Sequence, residues 1–195
     1  MITNKEVFLD IVNKNIKRDG IANLITYLER SDFFTAPAST RFHDDYEGGL
    51  LDHSLRTYFH LKKLVESYNL KISEESIAIV ALFHDLCKVD CYVVEQRWKK
   101  DENNKWESYD SYKFEEKKKF GGHGSKSIFV AQYYIRLTFE EAAAINCHMG
   151  PDGKDFSCMD VYRESPLAFF LHTADMASTV FEEPDYIEEY KENIS

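Results

Sequence analysis

What the 195-residue chain lacks narrows its function first. It has no excess of positive charge, because 24 Lys and Arg stand against 34 Asp and Glu for a formal net charge of −10. Non-specific binding of nucleic acid needs positive charge to displace counterions, so strong binding of this kind is not expected and a small anion is a more natural substrate than a long one. No stretch approaches the roughly 20 apolar residues of a membrane span, and the N-terminal MITNKEVFLDIVNKN is amphipathic, without the unbroken apolar core of a signal peptide. The expectation is a cytoplasmic protein with no membrane contact. Of the four cysteines, Cys87, Cys91, Cys147 and Cys158, none forms a CxxC pair. In a cytosolic chain they read as small buried hydrophobes rather than bridges or a zinc knuckle.

What is there is an ordinary globular composition, 44% hydrophobic and 30% charged, long enough for one full core. Helical periodicity dominates. Val7, Phe8, Ile11, Val12 and Ile16 form one stripe, and Ile21, Leu24, Ile25 and Leu28 another. This N-terminal pair, within residues 1–32, carries no motif and reads as packing elements, a lid or a homodimer contact. Leu50–Tyr68 is the longest pattern. Ser73 caps a helix running to His84-Asp85, and Thr138–Glu141 is a capping box for a helix ending at His148-Met149. Asp152–Glu164 reads as a loop, Ser165-Pro166 opens a helix over Leu167–Phe181, and residues 181–195 read as an acidic tail.

Val89–Phe120 breaks the helical period. Cys91–Trp98 and Lys105–Tyr109 flank a polar turn, Asp101–Asn104, and read as a β-hairpin. The segment holds eight Lys/Arg and eight Asp/Glu, a mixed solvated surface rather than a basic patch. Its Trp98, Trp106, Tyr109 and Tyr112 either stack a base or pair across the strands.

The chemistry centres on AIVALFHDLCK, residues 78–88, an apolar run that ends in His84-Asp85 with Lys88 three residues on. An imidazole nitrogen beside a carboxylate oxygen suits Mn, Fe, Zn or Mg rather than a sulfur site. His53 upstream and His123, His148 and Asp175 downstream fall on different helical segments, so they meet only if a bundle brings them together. Gly121–Ser127 opens a helix with backbone N–H groups offered to an anion, which reads as His123 serving as a ligand with Lys126 or Ser127 near phosphate, or else as glycines needed for a tight entry turn. It is not a Walker loop.

In order and spacing, Gly48–Leu55, His84–Lys88, Gly122-His123-Gly124, Cys147–Gly150 and Ala174-Asp175 resemble the HD-domain phosphohydrolase superfamily. Ala36–Leu55 is similar to the HD domain of bacterial 3′-5′ exoribonucleases, and Gly121–Ser127 to small stand-alone HD proteins of Firmicutes and their phages. The resemblance implies a single all-α HD domain with the hairpin inserted between the second and third ligand segments and a core over residues 33–180. It also implies a pair of divalent ions, iron or manganese first and Mg, Zn, Ni or Co as alternatives. His53, His84, Asp85 and Asp175 would hold one ion and Asp85, His123 and His148 the other. Relatives with two consecutive histidines hold more metal, and Met149 stands where the second would be. Asp85 and Lys88 become the catalytic pair, with Arg41, His43, Lys126, Ser127 and Trp98 as substrate contacts. The implied activity is hydrolysis of a phosphoester or phosphoanhydride in a small nucleotide-like substrate by metal-activated water. A 3′-5′ exoribonuclease is the alternative, weakened by the acidic charge and the missing OB domain, and a non-catalytic nucleotide sensor is the third reading.

Overall fold

The computed structural model describes residues 2–40, 44–116, 119–151, 157–181 and 186–194. Among these, helices α1 (Asn4–Asn15), α2 (Ile21–Arg30), α3 (Gly49–Ser67) and α4 (Glu74–Phe83) lead through a 3-10 turn, Leu86–Lys88, into strands β1 (Tyr92–Lys100) and β2 (Trp106–Phe114). Helices α5 (His123–Tyr134), α6 (Phe139–Cys147), α7 (Ser157–Glu164), α8 (Pro166–Val180) and α9 (Tyr186–Ile194) complete the chain. It is a helical assembly with one antiparallel hairpin.

Helix α4 forms the axis. Every residue from Ile77 to Phe83 is buried, as expected of a helix surrounded by others rather than laid on a surface. α3 packs along both α4 and α8, and α6 along α8, so the helices that bring in His53, His84, His148 and Asp175 enclose one apolar core. α5 closes on α6 through Gly124, where a Cβ would meet the Asn146 backbone at 2.6 Å. The lid reading of the N-terminal pair does not hold for α1. Val7, Phe8, Ile11 and Val12 are buried, and the Phe8 ring lies between Phe33, Phe34 and Phe83. Truncating an aromatic this enclosed costs about 3–5 kcal/mol, the scale of a core residue rather than of a mobile cover.

The hairpin is longer than its sequence pattern indicates, pairing Tyr92 with Phe114 at the root and Lys100 with Trp106 at the tip. The root is anchored by the Tyr92 hydroxyl, which donates to Ala38 O at 2.9 Å, and by Phe114, whose ring stacks on His123 at 6.2 Å. Tyr92 also meets Phe114 and Tyr112, but the register sets Trp98 opposite Ser108 and Trp106 opposite Lys100. The tryptophans therefore do not pair with each other. Of the expected 152–164 loop, residues 157–164 are helical. α7 buries no residue, so its apolar signal is weak, and it docks through Tyr162 stacked on His172.

Candidate metal centre

Helices α4 and α6 deliver their histidines by the same device. Each helix ends on a histidine held in right-handed backbone geometry, His84 at φ −60° and His148 at φ −59°. In each, ring Nδ1 turns back onto the carbonyl three residues earlier, Ala81 O at 2.8 Å and Ile145 O at 2.7 Å. A carbonyl only accepts, so in the neutral ring Nδ1 carries the proton and Nε2 presents a lone pair to the interior. Metal-ligating histidines are commonly oriented this way. Both rings are fully buried, with centroids 5.0 Å apart.

His53 arrives from the start of α3 and Asp175 from α8. His53 Nε2 lies 3.0 Å from Asp175 Oδ1 and 3.3 Å from His84 Nε2. Asp85, just past α4, faces the group with both oxygens. Oδ2 stands 3.5 Å from His84 Nε2 and 3.7 Å from His53 Nε2, and Oδ1 stands 3.5 Å from His148 Nε2. Among the described residues, none gives the buried His148 Nε2 a hydrogen bond, so a polar atom is spent here unless something further binds it. His53, His84 and Asp85, and again His84, His148 and Asp175, offer donor atoms within 4.8 Å of one another. Three imidazole nitrogens and two carboxylates converging in a dry interior fit a divalent cation of the Mn, Fe, Zn or Mg kind.

The local electrostatics set two ionised carboxylates against one ammonium and the imidazoles. Burial pushes the His84 ring down to about 4, against the pull of Asp85 and Asp175, and so keeps it neutral. Burial alone would lower His148 too, but the Asp85 carboxylate beside it outweighs this and raises it. Asp85 and Asp175 would be raised by burial, yet Lys88 and His84 hold Asp85 well below the carboxylate range, and His53 and His84 do the same for Asp175. Lys88 Nζ sits 2.6 Å from Asp85 Oδ2. Burial would lower this ammonium, and the adjacent Asp85 carries it above its ordinary value instead, so it stays charged.

An outer layer appears that sequence patterns did not single out. Asp44 Oδ2 approaches His53 Nδ1 at 3.9 Å and forms an ion pair with Arg56, while the Tyr46 hydroxyl donates to Asp52. Asp44 is left-handed (φ 51°) and packs so tightly on Gly49 that a Cβ there would meet Asp44 O at 2.1 Å. The double glycine was the available signal for this contact. Arg56 is thus neutralised by Asp44. His172 Nδ1 meets His148 O at 2.7 Å and supports the end of α6.

The remaining candidates lie at the edge or beyond. His123 is exposed at the start of α5, its Nδ1 3.4 Å from Cys87 Sγ, outside the convergent set. Lys126 pairs with Glu116 at 2.8 Å and lines a small cavity of about 130 Å³ with His123, Cys87 and Phe114. Ser127 is fully buried, and its Oγ accepts from Cys87 N at 3.0 Å, so it braces the 3-10 turn instead of facing an open cavity. Trp98 lines a groove of about 620 Å³ with Thr40, Asp45, Arg97, Tyr109 and Ser111. Arg41 and His43 lie outside the described residues. The four cysteines carry thiols rather than disulfides, and three of them are buried.

A family model for the HD domain matches residues 50–178, about two thirds of the chain. The protein belongs to the HD-domain family, whose members bind divalent metals and are generally hydrolases. No curated protein and no solved structure matches the chain. Among the described residues, no helix is long and apolar enough to cross a membrane.

Proposed function

We propose that this HD-domain protein is a metal-dependent phosphohydrolase acting on a phosphoester or phosphoanhydride bond of a small nucleotide-like substrate. The observation that carries the reading is the buried convergence of His53, His84, His148, Asp85 and Asp175, with Nδ1 of His84 and His148 already committed to a backbone carbonyl. His53, His84, Asp85 and Asp175 would hold one divalent ion, iron or manganese first. Asp85, His148 and His123 would hold a second. Sharing suits Asp85, whose Oδ2 faces His53 and His84 while Oδ1 faces His148. His123 would turn inward from its contact with Cys87. Bound ions acidify a water and clamp phosphoryl oxygens.

The chain's own side chains supply the rest. Lys88 is a permanent cation at the edge of the cluster, 12% exposed and tied to Asp85. Released toward a substrate, its ammonium meets equatorial phosphoryl oxygens as a point charge and favours the transition state over the ground state. Asp85 and Asp175 stay ionised and keep the pocket anionic, which disfavours entry of phosphate without a compensating cation. The groove lined by Trp98 and Tyr109 adjoins the segment that presents Asp44 to His53, a position from which the aromatics would stack a base.

The test is metal analysis of anaerobically purified protein joined to a panel of phosphoesters and nucleotides. Hydrolysis of small nucleotides that is lost on chelation and restored by iron or manganese is the expected result. Metal-replete protein inert to the whole panel would favour a nucleotide sensor. Processive degradation of RNA oligomers with mononucleotides and dinucleotides untouched would favour an exoribonuclease.

A further inference from the structure

Helices α4 and α6 lie side by side in parallel. Their N-termini meet through a hydrogen bond from Ser76 Oγ to Glu141 Oε1 at 2.8 Å, and their C-termini carry His84 and His148 to either side of Asp85. With 10 and 9 residues they are rods of nearly equal length, about 14–15 Å at 1.5 Å per residue. A helix resists axial compression far more than it resists sliding past a neighbour, so the relative height of the two histidines is set wherever the rods are fastened together.

At the far end the short Ser76–Glu141 bond is backed by a guanidinium that spans both helices. Arg18, in the connection between α1 and α2, donates from one terminal nitrogen to Glu141 Oε2 at 2.6 Å and Arg136 O at 2.8 Å. From the other it donates to Glu141 Oε1 at 3.0 Å and Glu75 Oε2 at 3.1 Å. Glu75 is in the first turn of α4, and Glu141, whose side chain is fully buried, is in the first turn of α6. The backbone N–H of Lys17 donates to Glu75 Oε1 at 2.8 Å and that of Thr138 to Glu141 Oε2 at 2.8 Å. Bidentate pairing onto a buried carboxylate such as Glu141 sets geometry more than it adds stability, because desolvation consumes most of the attraction.

We propose that Arg18 is a positioning residue for the metal centre. By bridging Glu75 and Glu141 it fixes the axial offset of α4 against α6, and hence the separation at which His84 and His148 present Nε2 across Asp85. The inference rests on the metal-binding reading above. It explains why a charged network built on one fully buried carboxylate, Glu141, sits at the end of the bundle remote from the reacting groups, where none of its members can touch a substrate held at Asp85.

The experiment compares Arg18→Met, Arg18→Lys and Glu75→Gln with Val7→Ala, a core variant chosen to match their loss of Tm. Mn²⁺ affinity is measured well below every Tm, and the imidazole nitrogen resonances are recorded in chelator-treated protein. Arg18→Met should weaken Mn²⁺ binding about tenfold, the scale of a mutation acting through a two-element coupling, and should shift the His84 and His148 resonances while leaving His60 in place. Glu75→Gln should show the same pattern with a smaller shift, and Arg18→Lys, which cannot reach both carboxylates bidentately, should recover it only in part. Val7→Ala should change neither readout. Equal loss of affinity in Val7→Ala, or unmoved His84 and His148 resonances in Arg18→Met, would overturn the proposal. If Arg18→Met fails to fold, Glu75→Gln decides by the same two readouts. Wild-type protein that binds no Mn²⁺ would refute the metal reading instead, and the resonances would still decide the clamp.

Discussion

Around the tips of α4 and α6 the important side chains are buried and held by fixed partners, whereas along the hairpin Trp98 and Trp106 are 62% and 66% exposed. The first region borrows its geometry from the core: His84 and His148 are aimed by helix ends that cannot move without disturbing Ile79, Leu82 or Ile145. The second is a two-stranded ribbon, a structure of marginal stability on its own, secured mainly at its root by Tyr92 and Phe114. On the proposed function, the difference separates two duties. Chemistry that needs ligands within fractions of an ångström belongs on packed helices, and contact with a variable substrate suits an arm that adapts at little cost to the fold.

The strongest way to break this division is His84→Ala. Loss of an outer-shell partner already lowers metal affinity by about 10–100-fold, so removal of a central ligand should cost more than about 100-fold and abolish hydrolysis. Elemental analysis and a chelation-reversal assay check it, and a variant that keeps full metal content would detach the cluster from function. Lys88→Ala comes next. It should lower kcat by about 10²-fold, the scale of one electrostatic stabiliser, with metal content retained. Loss of metal in place of kcat would make Lys88 a support for Asp85 instead.

Trp98→Ala sharpens the other side of the comparison. It should raise KM for a nucleotide by about tenfold, within the 1–3 kcal/mol of base stacking, and leave a generic aryl phosphodiester unaffected. Its Tm should stay within about 2 °C of wild type, as expected of an exposed side chain. An equal effect on both substrates would make the hairpin structural.

The smallest effect is on stability against pH. Burial would raise Glu141, but Arg18, the Thr138 N–H and the Ser76 hydroxyl hold it below its ordinary 4.5. A carboxyl whose folded value lies below its unfolded one adds stability that is complete above the unfolded value and is lost as pH falls through the folded one. As pH falls below the ordinary 4.5 toward the lowered folded value, wild type should therefore lose more stability than Glu141→Gln. Parallel denaturation profiles across that window would show that the carboxylate is not held in its charged form.

By itself the sequence determined the family, the helical class, the hairpin and the candidates of which five converge in the interior. His84-Asp85 ends an apolar run, a capping box starts the helix to His148, and the other candidates follow on separate helical segments. These features are local, so periodicity, caps and spacing expose them. Only the tertiary structure decided that His148 joins Asp85 while His123 stays at the rim, that Ser127 turns inward to Cys87, and that Asp44 backs His53 from a left-handed turn. It also decided that Arg18 joins Glu75 to Glu141 across 57 and 123 residues of chain. Nothing local marks an Arg in a short connection as the partner of two distant glutamates. Such contacts depend on how helices are set against one another, and that offset is a property of the packed core rather than of any one segment.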